Sequence, residues 1–190
     1  MSYSLLEIVG TCIGLLYLWL EYRVSIYLWL AGVIMPAIYA VICYQVGLYA
    51  DFGVNVYYLL ISVYGFLCWL GRGLGPQSEK KMLLVSRLSK NWRMPLIGVG
   101  GLLWLCIAGI LIHFTDSTVP WMDAFTTAFS IVAMWMLARK YAEQWLVWLL
   151  VDVVSVFLYL YKDLYFTAIL YGLYAVIAYF GYLKWKKLAE

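Results

Sequence analysis

Two stretches decide the fold of this sequence: Trp19-Leu20-Glu21-Tyr22-Arg23-Val24-Ser25-Ile26-Tyr27-Leu28-Trp29-Leu30 and Trp135-Met136-Leu137-Ala138-Arg139-Lys140-Tyr141-Ala142-Glu143-Gln144-Trp145-Leu146. They lie 116 residues apart and share Trp19/Trp135, Arg23/Arg139, Trp29/Trp145 and Leu30/Leu146. Working outward at the same offset, residues 7–69 align with 123–185 without a gap. The further identities are Thr11/Thr127, Leu48/Leu164, Tyr49/Tyr165, Tyr58/Tyr174, Ile61/Ile177, Gly65/Gly181, Leu67/Leu183 and Trp69/Trp185. Matches of Leu and Ile between apolar segments mean little, but Trp, Gly and Arg recurring at the ends of apolar runs indicate an internal repeat.

Those apolar runs have transmembrane length. Of the 190 residues 66% are hydrophobic and 12% charged, against about 25% charged in ordinary soluble domains, so the surplus apolar surface must face lipid. A bilayer core needs roughly 20 apolar residues as helix. Such stretches fall at about 5–20, 25–46, 52–70, 94–114, 122–138, 145–161 and 164–183. The expected fold class is therefore an all-α membrane protein with seven transmembrane helices. Each repeat holds three of them, and an odd helix between repeats restores the same direction. The result is a 3+1+3 arrangement of two parallel triple-helix repeats, the SWEET-like order related by an axis along the membrane normal. The expected organisation is 1–70 first repeat, 71–93 cytoplasmic basic loop, 94–121 linker helix and outer loop, and 122–190 second repeat with a cytoplasmic tail.

Charge orients the spans. Arg72, Lys80, Lys81, Arg87, Lys90 and Arg93 crowd the 71–93 connection, which the positive-inside rule assigns to the cytoplasm. Alternation then puts Arg23, Arg139, Lys140, Lys184, Lys186 and Lys187 inside too, and leaves Lys162 outside with Asp51, Asp116, Asp123 and Asp163. The N-terminus is expected outside and the C-terminus inside. The opening Met1-Ser2-Tyr3-Ser4 lacks the basic start of a signal peptide and reads as the beginning of the first span. Glu7 and Asp123, at the outer ends of matching helices, read as solvated. Met82 to Leu88 reads as a short surface helix resting on anionic lipid. Cys12, Cys43, Cys68 and Cys106 lie in apolar runs and read as small packing residues. Neither a phosphate-binding glycine loop, a nucleic-acid motif nor metal-ligand spacing is present in the sequence, so no cofactor and no nucleic-acid partner is expected.

Four spans carry polar or aromatic residues on one face at helical spacing. The second has Trp29, Gly32, Pro36, Tyr39 and Cys43; the sixth has Trp145, Trp148, Asp152, Ser155 and Tyr159. The third has Asn55, Tyr58, Ser62, Gly65 and Trp69; the seventh has Tyr171, Tyr174, Ala178, Gly181 and Trp185. Asp152 carries the most weight, because a carboxylate in mid-span costs about 2.5–3.5 kcal/mol on insertion scales and persists where it faces a cavity or partner. The alternative is a structural bond to a neighbouring Tyr or Ser. Pro36 frees the carbonyl of Gly32, and the two are read as a hinge or a static kink. Trp29, Trp69 and Trp185 read as interface anchors, while Trp145, Trp148, Ser155, Tyr159, Asn55, Tyr58, Tyr39, Tyr171 and Tyr174 are candidates to bind a solute beside Asp152.

An intramembrane enzyme needs a catalytic constellation, and the single histidine, His113, stands apart from Cys and acid alike. A retinal protein needs a lysine midway along its last helix, where Lys184 lies only at the end. An ion channel is disfavoured by the absence of a charged ring. Transport of a small aromatic solute fits best.

The stretch Ala142-Glu143-Gln144-Trp145-Leu146-Val147-Trp148 followed by Asp152 and Leu164-Tyr165 resembles the PnuC family of vitamin transporters. So do Gly47-Leu48-Tyr49-Ala50-Asp51, Gly181-Tyr182-Leu183-Lys184-Trp185, and Ser130-Ile131-Val132-Ala133-Met134 running into Ala138-Arg139-Lys140. The resemblance spans both repeats. It implies uptake of an unphosphorylated vitamin by facilitated diffusion across the bacterial inner membrane, typically of nicotinamide riboside, with thiamine the main alternative and riboflavin a weaker one. It also implies a homotrimer and a cytoplasmic vitamin kinase that traps the product. Nicotinamide riboside and thiamine are both cations with a flat ring, which suits Asp152 flanked by Trp and Tyr.

Overall fold

The computed structural model describes the backbone of residues 2–45, 49–71 and 83–190, and the side chains of 11–45, 52–71 and 83–190. Among the described residues the secondary structure is seven α-helices: α1 (Ser2–Tyr22), α2 (Leu28–Gln45), α3 (Tyr49–Trp69), α4 (Lys90–Phe114), α5 (Pro120–Ala138), α6 (Gln144–Tyr161) and α7 (Tyr165–Leu188). Six of them, α2 to α7, are long and apolar enough to cross a membrane. The chain divides into two compact units, residues 1–83 and 84–190. In the first, α2 packs along α3 and touches α1; in the second, α4 packs on α5, α5 on α6 and α6 on α7.

Each helix of the first unit begins or ends where its sequence counterpart does. Offset by 116, the end of α1 at Tyr22 meets the end of α5 at Ala138, and α2 (Leu28–Gln45) coincides with α6 (Gln144–Tyr161). The cause of the shared stop is a Schellman cap. Val24 sits at φ 55° and Lys140 at φ 55°, the left-handed residue that ends a helix. Val24 N donates to Glu21 O at 2.9 Å and Ser25 N to Leu20 O at 2.9 Å; Lys140 N donates to Leu137 O at 2.9 Å and Tyr141 N to Met136 O at 3.0 Å. The next helix then starts in the same way, with Leu28 N donating to Ser25 O and Gln144 N to Tyr141 O. A side chain with a Cβ costs about 1–2 kcal/mol in this conformation, and the β-branched Val24 fits it least well.

Above each cap stands a guanidinium: Arg23 lies 5.2 Å from the Trp19 ring centroid and Arg139 5.8 Å from that of Trp135. At the same end of each hairpin two indoles meet edge to face, Trp29 on Trp69 at 5.5 Å and Trp145 on Trp185 at 5.9 Å. All four are almost fully buried, which corrects the reading of Trp29, Trp69 and Trp185 as interface anchors. Each pair needs a glycine opposite. A Cβ on Gly65 would lie 2.3 Å from the Trp29 ring and one on Gly181 2.6 Å from the Trp145 ring.

The connection ahead of α4 also departs from expectation. Residues 83–89 are extended, with Ser86 bridged to Tyr141, whereas Met82, the first residue of the expected surface helix, lies outside the described residues. The backbone hydrogen bonds explain the change: Ser86 N donates to Lys140 O at 3.0 Å, Ala142 N donates to Ser86 O at 2.9 Å, and Leu88 N donates to Glu143 Oε2 at 2.8 Å. A helix would have had to forgo all three. Arg72, Lys80 and Lys81 also lie outside the described residues. Cys43 and Cys68 are buried as packing residues, while Cys12 and Cys106 are exposed.

Candidate functional site

The seam between α6 and α7 gathers most of the expected residues. Residues 145, 148, 152, 155 and 159 recur every three or four positions and so lie on one face of α6. That face meets α7, which returns after a short turn closed by another Schellman cap, with Asp163 at φ 56° and Leu164 N donating to Tyr159 O at 2.9 Å. The antiparallel return pairs the start of α6 with the end of α7 and leaves distinct layers along the seam.

The first layer is the Trp145–Trp185–Gly181 clamp, where Trp145 packs fully buried. Near the other end the rings of Tyr159 and Tyr171 stack at 5.0 Å with 24° between planes. Tyr174 meets Tyr171 edge-on at 5.6 Å. Between these layers lie Asp152, 6% exposed, and Ser155, 3% exposed. The Asp152 carboxylate acts electrostatically on the hydroxyls of both Tyr171 and Tyr174, so acid and phenols form one cluster. No cation among the described residues pairs with it within the unit. Trp148, one turn before Asp152, holds its indole N–H buried without a hydrogen-bond acceptor. The seam thus offers a carboxylate, a free N–H donor and a ladder of flat rings, the elements that stack and orient a planar solute.

In the first unit the equivalent positions are filled differently. Gly32 brings α2 against α3, where a Cβ would meet Ser62 Oγ at 2.7 Å, and that hydroxyl is buried without a partner. The mates of Gly32 and Ser62 are Trp148 and Ala178. Pro36 lies within α2, one turn beyond Gly32. Tyr58 lies beside Tyr57 at 5.6 Å, and Asn55 is half-buried on the same helix. Tyr39 is 51% exposed on α2. Two residues of α1 passed over by the sequence reading belong beside Tyr58: Tyr17 interacts electrostatically with both Tyr58 and Glu21, and Glu21 is buried. The spacing of four between Tyr17 and Glu21 is the sequence signal that would have paired them.

At the opposite end of the second unit, Lys162 Nζ lies 3.1 Å from Asp123 Oδ1, and Ser117 Oγ donates to Asp123 Oδ2 at 2.7 Å. Asp123 is therefore paired rather than merely solvated, and the side chain of Glu7 lies outside the described residues.

The profile of the nicotinamide mononucleotide transporter family matches residues 4–187. The chain belongs to that family. It is a multi-pass membrane transporter, not an enzyme. Among its curated relatives, the nicotinamide riboside transporter PnuC of Escherichia coli (strain K12) is 26% identical over 96% of this chain and 85% of the relative. The PnuC of Neisseria mucosa is 25% identical over 88% of this chain and 66% of the relative. The riboflavin/roseoflavin transporter RibM of Streptomyces davaonensis is 28% identical over 94% and 83%. The crystal structure of the vitamin B3 transporter PnuC superposes with a TM-score of 0.68 at 24% identity, covering 95% of this chain and 80% of the other. That match establishes a shared fold.

Proposed function

We propose that the protein takes up a small vitamin with a flat ring, nicotinamide riboside first among them, and that the α6–α7 seam forms part of its binding site. The observation that carries the reading is the Asp152–Tyr171–Tyr174 cluster beside the unpartnered Trp148 N–H, in a chain matching the family over nearly its full length. A pyridinium ring carries a fixed positive charge, and a carboxylate at membrane depth is its natural counter-charge. Tyr159, Tyr171 and Trp148 supply faces and edges for stacking, and Ser155 lies one turn from Asp152 to meet a ribose hydroxyl. Asn55, Tyr58 and Tyr39 are proposed to contribute from the first unit, with Trp145 acting through the packing of the seam.

The matching caps, indole pairs and glycines at an offset of 116 support a 3+1+3 frame of two parallel repeats, with α4 as linker. In this reading the repeats rock to give alternating access, Gly32 and Pro36 act as a hinge, and solute flows down its gradient until a cytoplasmic kinase phosphorylates it. The distribution of basic residues supports an N-terminus outside, a C-terminus in the cytoplasm and residence in the bacterial inner membrane. The trimer implied by the PnuC resemblance belongs to the same proposal.

Riboflavin is a second reading, favoured by the 28% identity to RibM. Calorimetric titration of the purified protein with nicotinamide riboside, thiamine and riboflavin separates them. Binding of the cationic ligand should weaken at least tenfold in Asp152→Asn, while binding of a neutral flavin should change little. Unchanged affinity for every cationic ligand in that variant would remove the counter-charge role of Asp152.

A further inference from the structure

A concavity lies on the other side of α6. Residues 143, 146 and 147 stand nearly half a turn around the helix from the Asp152 face. With α5 as floor and α4 and α6 as walls they bound a cavity of about 430 Å³, within the roughly 300–1,000 Å³ of small-molecule sites. Phe129, Val132 and Met136 form the floor, and Leu96, Ile97, Leu146 and Val147 form the walls. Ile97 and Leu146 are 59% and 40% exposed, so the groove opens sideways, at span depth. Its charged residues, Arg87, Arg93 and Glu143, gather at one end, where α4 and α6 begin, and Tyr182 of α7 also lines the cavity.

The charges at that end are not balanced. Glu143 Oε2 accepts the Leu88 N–H at 2.8 Å, and Oε1 lies 3.7 Å from Arg87 Nε. One carboxylate therefore offsets one guanidinium only in part, and Arg93, exposed on the first turn of α4, adds a second positive charge. Arg87 keeps 47% of its side chain exposed, leaving its terminal N–H donors accessible. The neighbouring Trp92 is 52% exposed, as an indole at headgroup depth would be. An amphiphile with an anionic head and an aliphatic tail matches this arrangement in both charge and length order.

We propose that this groove seats one anionic phospholipid of the surrounding bilayer, its phosphate between Arg87 and Arg93 and an acyl chain along the α5 floor. Guanidinium forks suit phosphate oxygens. The extended 83–89 segment, bonded to the α5–α6 loop, fixes Arg87 at the rim. Occupancy would tie the spans of α4 and α6 together beyond the bonds that the 83–89 segment already makes to the start of α6.

Native mass spectrometry of the full-length protein in detergent, with phosphatidylglycerol or phosphatidylcholine added, tests the proposal. One phosphatidylglycerol should be retained in preference to phosphatidylcholine, and soluble glycerol 3-phosphate should fail to displace it. Both arginines are solvent-accessible, so Arg93→Gln and Arg87→Gln/Arg93→Gln should melt as the wild type does. Retention should fall about fivefold in the single variant and more than tenfold in the double. In Val132→Trp, which fills the floor but keeps both arginines, phosphatidylglycerol retention should also drop. Equal retention of the two lipids, or unchanged retention in the double variant, overturns the proposal. So does displacement by glycerol 3-phosphate, which would mark a phosphate site, or release of the lipid as the chain self-associates, which would mark a seat for a second copy.

Discussion

Gly181→Ala is the most direct probe of the end clamp. The new Cβ would stand 2.6, 2.7 and 2.8 Å from Cδ2, Cε2 and Cε3 of Trp145. Ordinary carbon contacts are about 3.5–4.0 Å, so ring and helix must separate by nearly 1 Å. The ring has little room to yield, because it is fully buried and its other side abuts Trp185. Overpacking of this kind costs about 1–3 kcal/mol, and the upper end applies where the obstacle is a rigid bicycle. Alanine recovers about 1 kcal/mol through helix propensity, leaving a net loss of about 2 kcal/mol. For a chain of this length that corresponds to a fall in Tm of about 4–8 °C. Gly172→Ala on the same helix supplies the control, since its Cβ would meet only Val156 Cγ2 at 4.0 Å. It should melt at or above the wild-type temperature. Trp145→Phe in the Gly181→Ala background should restore part of the loss by shrinking the obstacle. The assay is intrinsic-fluorescence melting of purified protein in detergent. Equal melting of Gly181→Ala and Gly172→Ala would refute the reasoning, since propensity alone would then account for both.

Other expectations concern the caps and the ion pair. Val24→Gly removes a β-branched side chain from the left-handed C′ position and should stabilise the protein by about 1 kcal/mol, seen as a Tm rise of a few degrees. Burial of Lys140 pushes its pKa down to about 8 from 10.5, so between those values the unfolded chain binds more protons than the folded one and stability rises with pH. Melting curves from pH 7 to 10 should show that rise in the wild type and a flatter profile in Lys140→Met. Asp123→Asn breaks the contact to Lys162 and should cost at most about 1 kcal/mol in low salt; a deficit undiminished at 1 M salt would contradict an electrostatic origin.

The helix count and repeat offset were legible because apolar length and paired Trp, Gly and Arg survive in one dimension. The coincidence of Val24 with Lys140 in left-handed caps was hidden, since neither residue type advertises that conformation. The burial of Trp29, Trp69 and Trp185 was hidden too. A tryptophan at a helix end reads as an interface residue until the glycine across the seam is taken into account, and Gly65 and Gly181 were noted for their identity rather than for the space they leave. Spacing alone sets Asp152 on one face of α6 and Tyr171 and Tyr174 on one face of α7, and the structure packs these two helices against each other. The exposure of Tyr39 was hidden as well, because a shared stripe on α2 says nothing about which part of that stripe faces α3. The extended 83–89 segment turned on hydrogen bonds to residues more than fifty positions away, which no local pattern encodes.

The clamps at the hairpin ends are nearly the same in both units, whereas one layer inward Gly32 packs on Ser62 in one hairpin and the corresponding positions of the other hold Trp148 and Ala178. The residues that clamp each hairpin thereby lie in a different layer from the positions that diverge. A duplicated gene with this division can drift in its middle layers without unmaking its helix hairpins, and the two halves can part company chemically. Equal clamps beneath unequal mid-layers mean that each hairpin keeps its fold by one set of residues and changes its chemistry by another.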